Sequence, residues 1–204
     1  MRKEKLHYAS YKLRRAIYDS FFLDCDKSCK NDEFTFSAYT AWRRMIARCN
    51  RLSYIKRNPT YGDCSICEEW HYFSKFEKWY KDNYIKGNEL DKDILVKGNK
   101  IYSPQTCCFV PQEINKLLIK RNRKRGTYPI GVYSPKKGCF LAQMSIEHKT
   151  KTIGCFKNEL DAFNAYKAKK ESYIKEKALE YYQKGLIRKE VFDALNKYEV
   201  NIND

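Results

Sequence analysis

Val132-Tyr133-Ser134-Pro135-Lys136-Lys137-Gly138-Cys139-Phe140-Leu141-Ala142-Gln143-Met144-Ser145-Ile146 reads as two strands joined by a tight turn. Phe140, Ala142, Met144 and Ile146 alternate with Cys139, Leu141, Gln143 and Ser145, the two-residue period of a strand with one buried face. The first strand is Val132-Tyr133-Ser134, and Pro135-Lys136-Lys137-Gly138 supplies the turn. Glu147-His148-Lys149 makes a second turn, and a third strand runs through Lys151-Thr152-Ile153-Gly154-Cys155-Phe156. Asn158 is suited to cap a long helix carrying Leu160, Ala162, Phe163, Tyr166, Ile174 and Leu179. The pattern predicts a three-stranded antiparallel sheet packed on one long helix over residues 128–182, with the second face of the sheet open. A helical tail over 183–204, with a helix around Lys189 to Tyr198, follows it.

Upstream, Gly126 and Pro129 mark a boundary. Residues 112–127 read as a basic connector helix, with Ile114, Leu117 and Leu118 on one side and Lys116, Lys120, Arg121, Arg123, Lys124 and Arg125 elsewhere. Residues 34–111 form a small, helix-rich middle region. Tyr39, Trp42, Met45, Ile46 and Cys49 recur at helical steps, as do Trp70, Phe73, Phe76, Trp79 and Tyr80. Between the two helices, Cys64-Ser65-Ile66-Cys67 is a strand candidate after the turn at Asn58 to Asp63. Leu90 to Leu95 and Ile101 to Val110, around Gly98-Asn99, predict a hairpin-like element. Residues 1–33 read as a basic N-terminal arm with a short amphipathic helix. The expected fold class is therefore α+β.

The 204 residues carry 41 Lys and Arg against 25 Asp and Glu, a formal charge of +16. An excess of this size repels itself unless a polyanion offsets it, so nucleic acid or an anionic membrane surface is the default partner. No stretch approaches the roughly 20 apolar residues of a membrane span, and the start lacks the apolar core of a signal peptide. A soluble, cytoplasmic protein is expected, with its nine cysteines as thiols or metal ligands rather than a disulfide framework.

The open sheet face would present Cys139, Leu141, Gln143 and Ser145, flanked by Lys136, Lys137 and Lys149. A sheet of this width can enter a major groove, where Gln reads adenine and Lys reaches guanine or phosphate. An ordinary solvated face is the alternative. Gly131-Val132, Gly138-Cys139-Phe140-Leu141-Ala142, Ile153-Gly154-Cys155-Phe156 and Glu159-Leu160-Asp161-Ala162-Phe163-Asn164-Ala165-Tyr166 resemble the APETALA/ethylene-response-factor DNA-binding domain over residues 128–176. The resemblance implies double-stranded DNA as partner, with contacts near Tyr133, Gln143, Ser145, Lys151 and Thr152. Tyr133 and Pro135 stand where that family carries arginines, so the target sequence does not follow. The run Lys116 to Arg125 would track phosphates between the two regions, or be a solvated helix face.

The middle region carries Trp42, Met45, Arg48-Cys49, Tyr61-Gly62, Cys67, Trp70, Phe73, Phe76, Leu90-Asp91-Lys92-Asp93 and Tyr102-Ser103-Pro104, with Thr106-Cys107. These resemble HNH-type homing endonucleases of phages and mobile elements, which often carry an APETALA-like domain alongside. The resemblance implies a metal-dependent hydrolase in which a hairpin brings a base histidine beside an acidic metal ligand. Here Asp91 takes the acidic position and Lys92 the base position, with Asp93 and Asn99 as further catalytic candidates. Asp91 and Asp93 could hold Mg²⁺ or a similar divalent cation, or form a solvated acidic turn. His71 is a packing or surface histidine, and the one nearby substitute base.

Cys64 and Cys67, with Cys107 and Cys108, offer a tetrahedral structural zinc site; buried thiols are the alternative. Two functions stay open. One is a DNA-nicking or DNA-cleaving enzyme centred on Asp91, Asp93 and Asn99. The other is an inactive DNA-binding regulator or anti-defence protein that occupies DNA or a protein partner, as Lys92 in place of the base suggests. RNA binding through the aromatic and basic surface is a third reading.

Overall fold

The computed structural model describes residues 21–24, 32–119, 127–146 and 149–204. The chain is mixed α+β and divides into two compact units, Met1–Phe109 and Val110–Asp204.

The first unit is built on two helices. In α1 (Glu33–Asn50), Asp32 caps the start by accepting the Thr35 N–H at 2.7 Å, and the three-to-four-residue spacing of Ala38, Trp42, Met45, Ile46 and Cys49 makes a buried stripe. A short α2 (Leu52–Arg57) follows. In α3 (Phe73–Asn83) the buried residues are Phe73, Phe76 and Tyr80. Trp70, expected on this helix, sits instead in a 3-10 turn over Glu68–His71. The local reason is a bridge from the N-terminal segment: Phe22 N–H donates to the His71 carbonyl at 2.8 Å, and Phe73 N–H to the Phe22 carbonyl at 3.1 Å. Those groups therefore serve another strand of chain rather than a helix. Asp24 then caps α3, accepting the Ser74 N–H at 2.8 Å and its hydroxyl at 2.6 Å.

Trp42, Trp70, Phe73, Phe76, Tyr80 and Phe109 form the core of this unit, with Trp79 packed against it. The Trp42 indole N–H donates to the Trp70 carbonyl at 2.8 Å, so the polar edge of a buried ring is satisfied. Truncating fully buried Trp70 to Ala would cost about 3–5 kcal/mol.

The two pieces of the expected hairpin-like element do pair, through β2 (Glu89–Asp91) and β4 (Cys108–Val110), but not directly across Gly98-Asn99: there β3 (Ile101–Tyr102) pairs in parallel with β1 (Ser65–Ile66), Tyr102 opposite Ile66. The loop between β2 and β3 is held by the Asn99 side chain rather than by a ladder, and Tyr102 is drawn into the core.

In the second unit, β5 (Val132–Lys136), β6 (Cys139–Ile146) and β7 (Lys149–Phe156) form the antiparallel sheet in that order, packed on the long helix α5 (Glu159–Gln183). Asn158 caps α5, accepting the Asp161 N–H at 2.9 Å. Val132, Ala142 and Met144 meet Ala162, Phe163 and Tyr166. Gly131 is required here. Its φ is +80°, and a Cβ would stand 2.1 Å from the Tyr166 ring. Before the sheet, α4 (Gln112–Leu117) is shorter than the expected connector helix. It tightens at its end, where Leu118 N–H bonds to the Asn115 carbonyl at 3.2 Å. It belongs to the second unit through Glu113, which pairs with Lys177 at 3.5 Å and with the Tyr181 hydroxyl. After α5, α6 (Lys189–Asn196) buries Val191 and Leu195. Among the described residues no helix is long and apolar enough to cross a membrane.

Candidate functional site

Two places hold the sequence-derived candidates: the loop from Asp91 to Asn99 in the first unit and the outer sheet face in the second.

Asp91 ends β2, and its Oδ1 accepts the N–H groups of Asp93 at 2.7 Å and Ile94 at 3.0 Å. This is the self-capping turn that an Asp makes locally. Burial pushes the Asp91 carboxyl above the usual carboxylate range against the pull of those two N–H groups, and the neighbouring Asp93 charge adds to the rise.

Lys92 is buried, its side chain 7% exposed. Its Nζ donates to the Asp93 carboxylate and, at 2.9 Å, to the Asn99 carbonyl. The rings of Tyr61 and Tyr102 each stand 5.9 Å from it, within cation–π reach. Asn99 closes the loop in return: Nδ2 donates to the carbonyls of Lys92 at 2.8 Å and Ile101 at 2.7 Å, and Oδ1 accepts the Ile101 N–H at 3.2 Å. Arg48 Nη1 reaches the Leu90 carbonyl at 3.4 Å.

These contacts decide what the loop can do. A divalent cation needs several oxygen donors converging on one point. Here Asp93 and the Asn99 carbonyl converge on an ammonium supplied by the chain itself, one Asp91 oxygen is spent on backbone N–H groups, and both ends of the Asn99 amide are engaged. The residues do not fit a resident Mg²⁺. Nor is Nζ placed as a base, since it acts as donor to both neighbours and a base must offer a lone pair. His71 packs its ring 4.4 Å from Phe21.

The zinc candidates are not assembled either. Among the described residues no three His, Cys, Asp or Glu side chains are grouped to hold a metal. Burial pushes the Cys107 thiol up to about 12 and raises those of Cys64 and Cys67, which opposes the thiolates that zinc requires. Cys108 is buried.

The sheet face follows from register. Ala142 and Met144 are buried against α5, so Cys139, Leu141, Gln143 and Ser145 take the outer side. Across from them stand Tyr133 opposite Leu141, Lys136 opposite Cys139, Cys155 opposite Leu141, Thr152 opposite Gln143 and Thr150 opposite Ser145. Gln143 Nε2 donates to Thr152 Oγ1 at 3.2 Å, leaving its Oε1 and the second amide hydrogen for a ligand. Tyr133 is 55% exposed, and Ser145, Thr150, Thr152, Lys136 and Lys137 are exposed as well.

Two sequence-derived contacts change sides. Between the Ala142–Gly154 and Gln143–Thr152 pairs, β7 carries Ile153 as an extra residue, a bulge. Beyond it Lys151 opposes Met144 and Lys149 opposes Ile146, so both lysines share the side of Met144 and Ile146 and not the outer one, while staying exposed. Ile153 packs on the core instead, which an unbulged strand would forbid while keeping Cys155 outside. On α4, exposed-side Lys116 bonds Gln112 Oε1 at 2.7 Å. Lys120, Arg121, Arg123, Lys124 and Arg125 lie outside the described residues.

Sequence reasoning did not find two further features. One is the Asp24 cap, a partner 50 positions from Ser74 with no local signature. The other is the approach of Cys139 to Cys155, whose sulfurs are 2.7 Å apart on the outer face. Alternation placed Cys139 on the outer face, but only register sets Cys155 beside it. No protein-family model, curated protein or solved structure matches the chain.

Proposed function

We propose that the protein binds double-stranded DNA through the outer face of the β5–β6–β7 sheet, and acts by occupancy rather than by cleavage. One observation supports the binding half above others. The exposed face is a set of uncharged hydrogen-bonding side chains, Gln143, Ser145, Thr150, Thr152 and Tyr133, with Lys136 and Lys137 at its rim. Base edges are read by such groups and phosphates by the lysines. The overall charge of +16 supplies the attraction. The occupancy half rests on Lys92, which fills with an ammonium the position that a hydrolytic cation would need.

Fluorescence anisotropy with labelled duplex, titrated across salt, tests the first half. Gln143→Ala should weaken a preferred site by about tenfold, as one bidentate base contact is worth about 1–3 kcal/mol. Lys136→Ala with Lys137→Ala should make the slope of log K against log salt shallower by about 2, near 0.9 per phosphate contact. Binding and slope equal to wild type in both variants would remove the sheet face from the interface. Supercoiled plasmid incubated with Mg²⁺ or Mn²⁺ tests the second half, and the expected outcome is no nicked product. Nicking lost in Asp91→Ala would overturn it.

A further inference from the structure

We infer that Cys139 and Cys155 form a redox-active dithiol site on the outer sheet face, a modification site that takes small-molecule disulfides and closes into a reversible cross-strand disulfide. The inference stands on sulfur geometry and does not depend on DNA binding.

Cys139 opens β6 and Cys155 lies near the end of β7, diagonal neighbours on one face, since Cys155 stands opposite Leu141. Their sulfurs are 2.7 Å apart, about 0.7 Å beyond the roughly 2.05 Å of a formed S–S bond. Rotation of the two side chains can close that remaining gap. Access is the second requirement. Cys155 is exposed and Cys139 half-buried, whereas Cys49, Cys64, Cys107 and Cys108 are buried. The hydrogen bond with Cys155 raises the Cys139 thiol, and the Lys136 ammonium opposite offsets only part of that rise, so exchange should quicken as pH rises and the thiolate forms.

The chemistry is two thiol–disulfide exchanges. One cysteine thiolate attacks a sulfur of R–S–S–R, forming a protein–S–S–R bond and expelling R–S⁻. The second cysteine, losing its proton, attacks the protein sulfur of that bond, forming the Cys139–Cys155 disulfide and expelling a second R–S⁻. The two protons lost by the cysteines appear on the two small thiols. The protein is oxidised by two electrons and the small disulfide is reduced by two.

Oxidised glutathione is the probe. The full-length protein is treated with it, quenched in acid, unfolded, alkylated and digested without reduction. Among the described cysteines the expected product is one cross-link, joining the peptides of residues 139 and 155 and abolished by dithiothreitol, with Cys49, Cys64, Cys67, Cys107 and Cys108 recovered alkylated. In Cys155→Ser the cross-link should vanish and a stable glutathione adduct on Cys139 should rise at least tenfold over wild type, because the resolving thiol is gone. Both positions are on the surface, so circular dichroism of the variant should match wild type. Recovery of Cys139 and Cys155 as alkylated thiols would overturn the inference. So would stable adducts on both in wild type, or disulfide-linked dimers in place of the internal bond.

Discussion

Lys92→Met isolates what the buried ammonium contributes. Methionine keeps an unbranched stem of similar length against Tyr61 and Tyr102 and removes the charge. The Asn99 carbonyl loses its donor in a part-buried position, which costs about 1–3 kcal/mol. The pair with Asp93 counts for less, about 0–1 kcal/mol, because that carboxylate is 52% exposed and recovers water. Against these, the variant is relieved of the penalty for keeping an ammonium at 7% exposure, and replacing buried ion pairs by apolar residues is often neutral. Here only one partner is removed and the carbonyl is stranded, so the loss wins, and a net destabilisation of about 1–2 kcal/mol is expected. For a unit of this size that lowers the midpoint by roughly 5–15 °C. The assay is direct, since all three tryptophans, Trp42, Trp70 and Trp79, lie in the first unit and their emission follows its melting alone. Added Mg²⁺ should leave the wild-type midpoint in place. A variant as stable as wild type, or a wild-type midpoint raised by Mg²⁺, would refute the argument that Lys92 serves as the cation of this loop.

Gly131→Ala should destabilise the second unit by about 2–5 kcal/mol, from a positive-φ penalty of roughly 1 and overpacking of roughly 1–3 or more against Tyr166, read as an early far-ultraviolet transition; a shift under a degree would contradict the packing. Asp91→Asn preserves the acceptor for the Asp93 and Ile94 N–H groups and removes a charge that burial disfavours, so the tryptophan melt should hold within about 0.5 kcal/mol, whereas Asp91→Ala should lose about 1. Asp24→Ala should cost about 0.5–1 kcal/mol at neutral pH. Burial alone would raise the Asp24 carboxyl, but the Ser74 hydroxyl and N–H outweigh it and hold it below its usual 3.8. The contribution is therefore complete above that value and fades as pH falls below it. Wild type and variant should converge in acid, and a gap that widens there would reverse the assignment.

The local signals in this chain were the readable ones. Alternation from Phe140 to Ile146 placed β6 and its two faces, and Asn158 with the apolar period after it placed α5, because the two-residue and 3.6-residue repeats belong to the backbone itself. The Trp42–Cys49 stripe did the same for α1. Among the candidate residues, Gln143 takes the outer face as the alternation implied, and register sets Thr152 opposite it.

What the sequence by itself determined is thus the set of elements and the residue types on each face. Only the tertiary structure decided which strands pair and what the charged residues meet. Lys151 looked like a DNA contact until the Ile153 bulge turned it toward the helix side, a one-residue shift that costs little locally and is settled by the apolar core that Ile153 joins. Lys92 looked like a misplaced base until its burial against Asp93, the Asn99 carbonyl and two tyrosine rings made it the loop's own cation. Cys139 and Cys155, 16 positions apart, meet only because β6 and β7 settle in one register. Secondary structure follows from near neighbours along the chain, whereas register, burial and the pairing of polar groups are fixed by the free energy of packing residues that are distant in sequence.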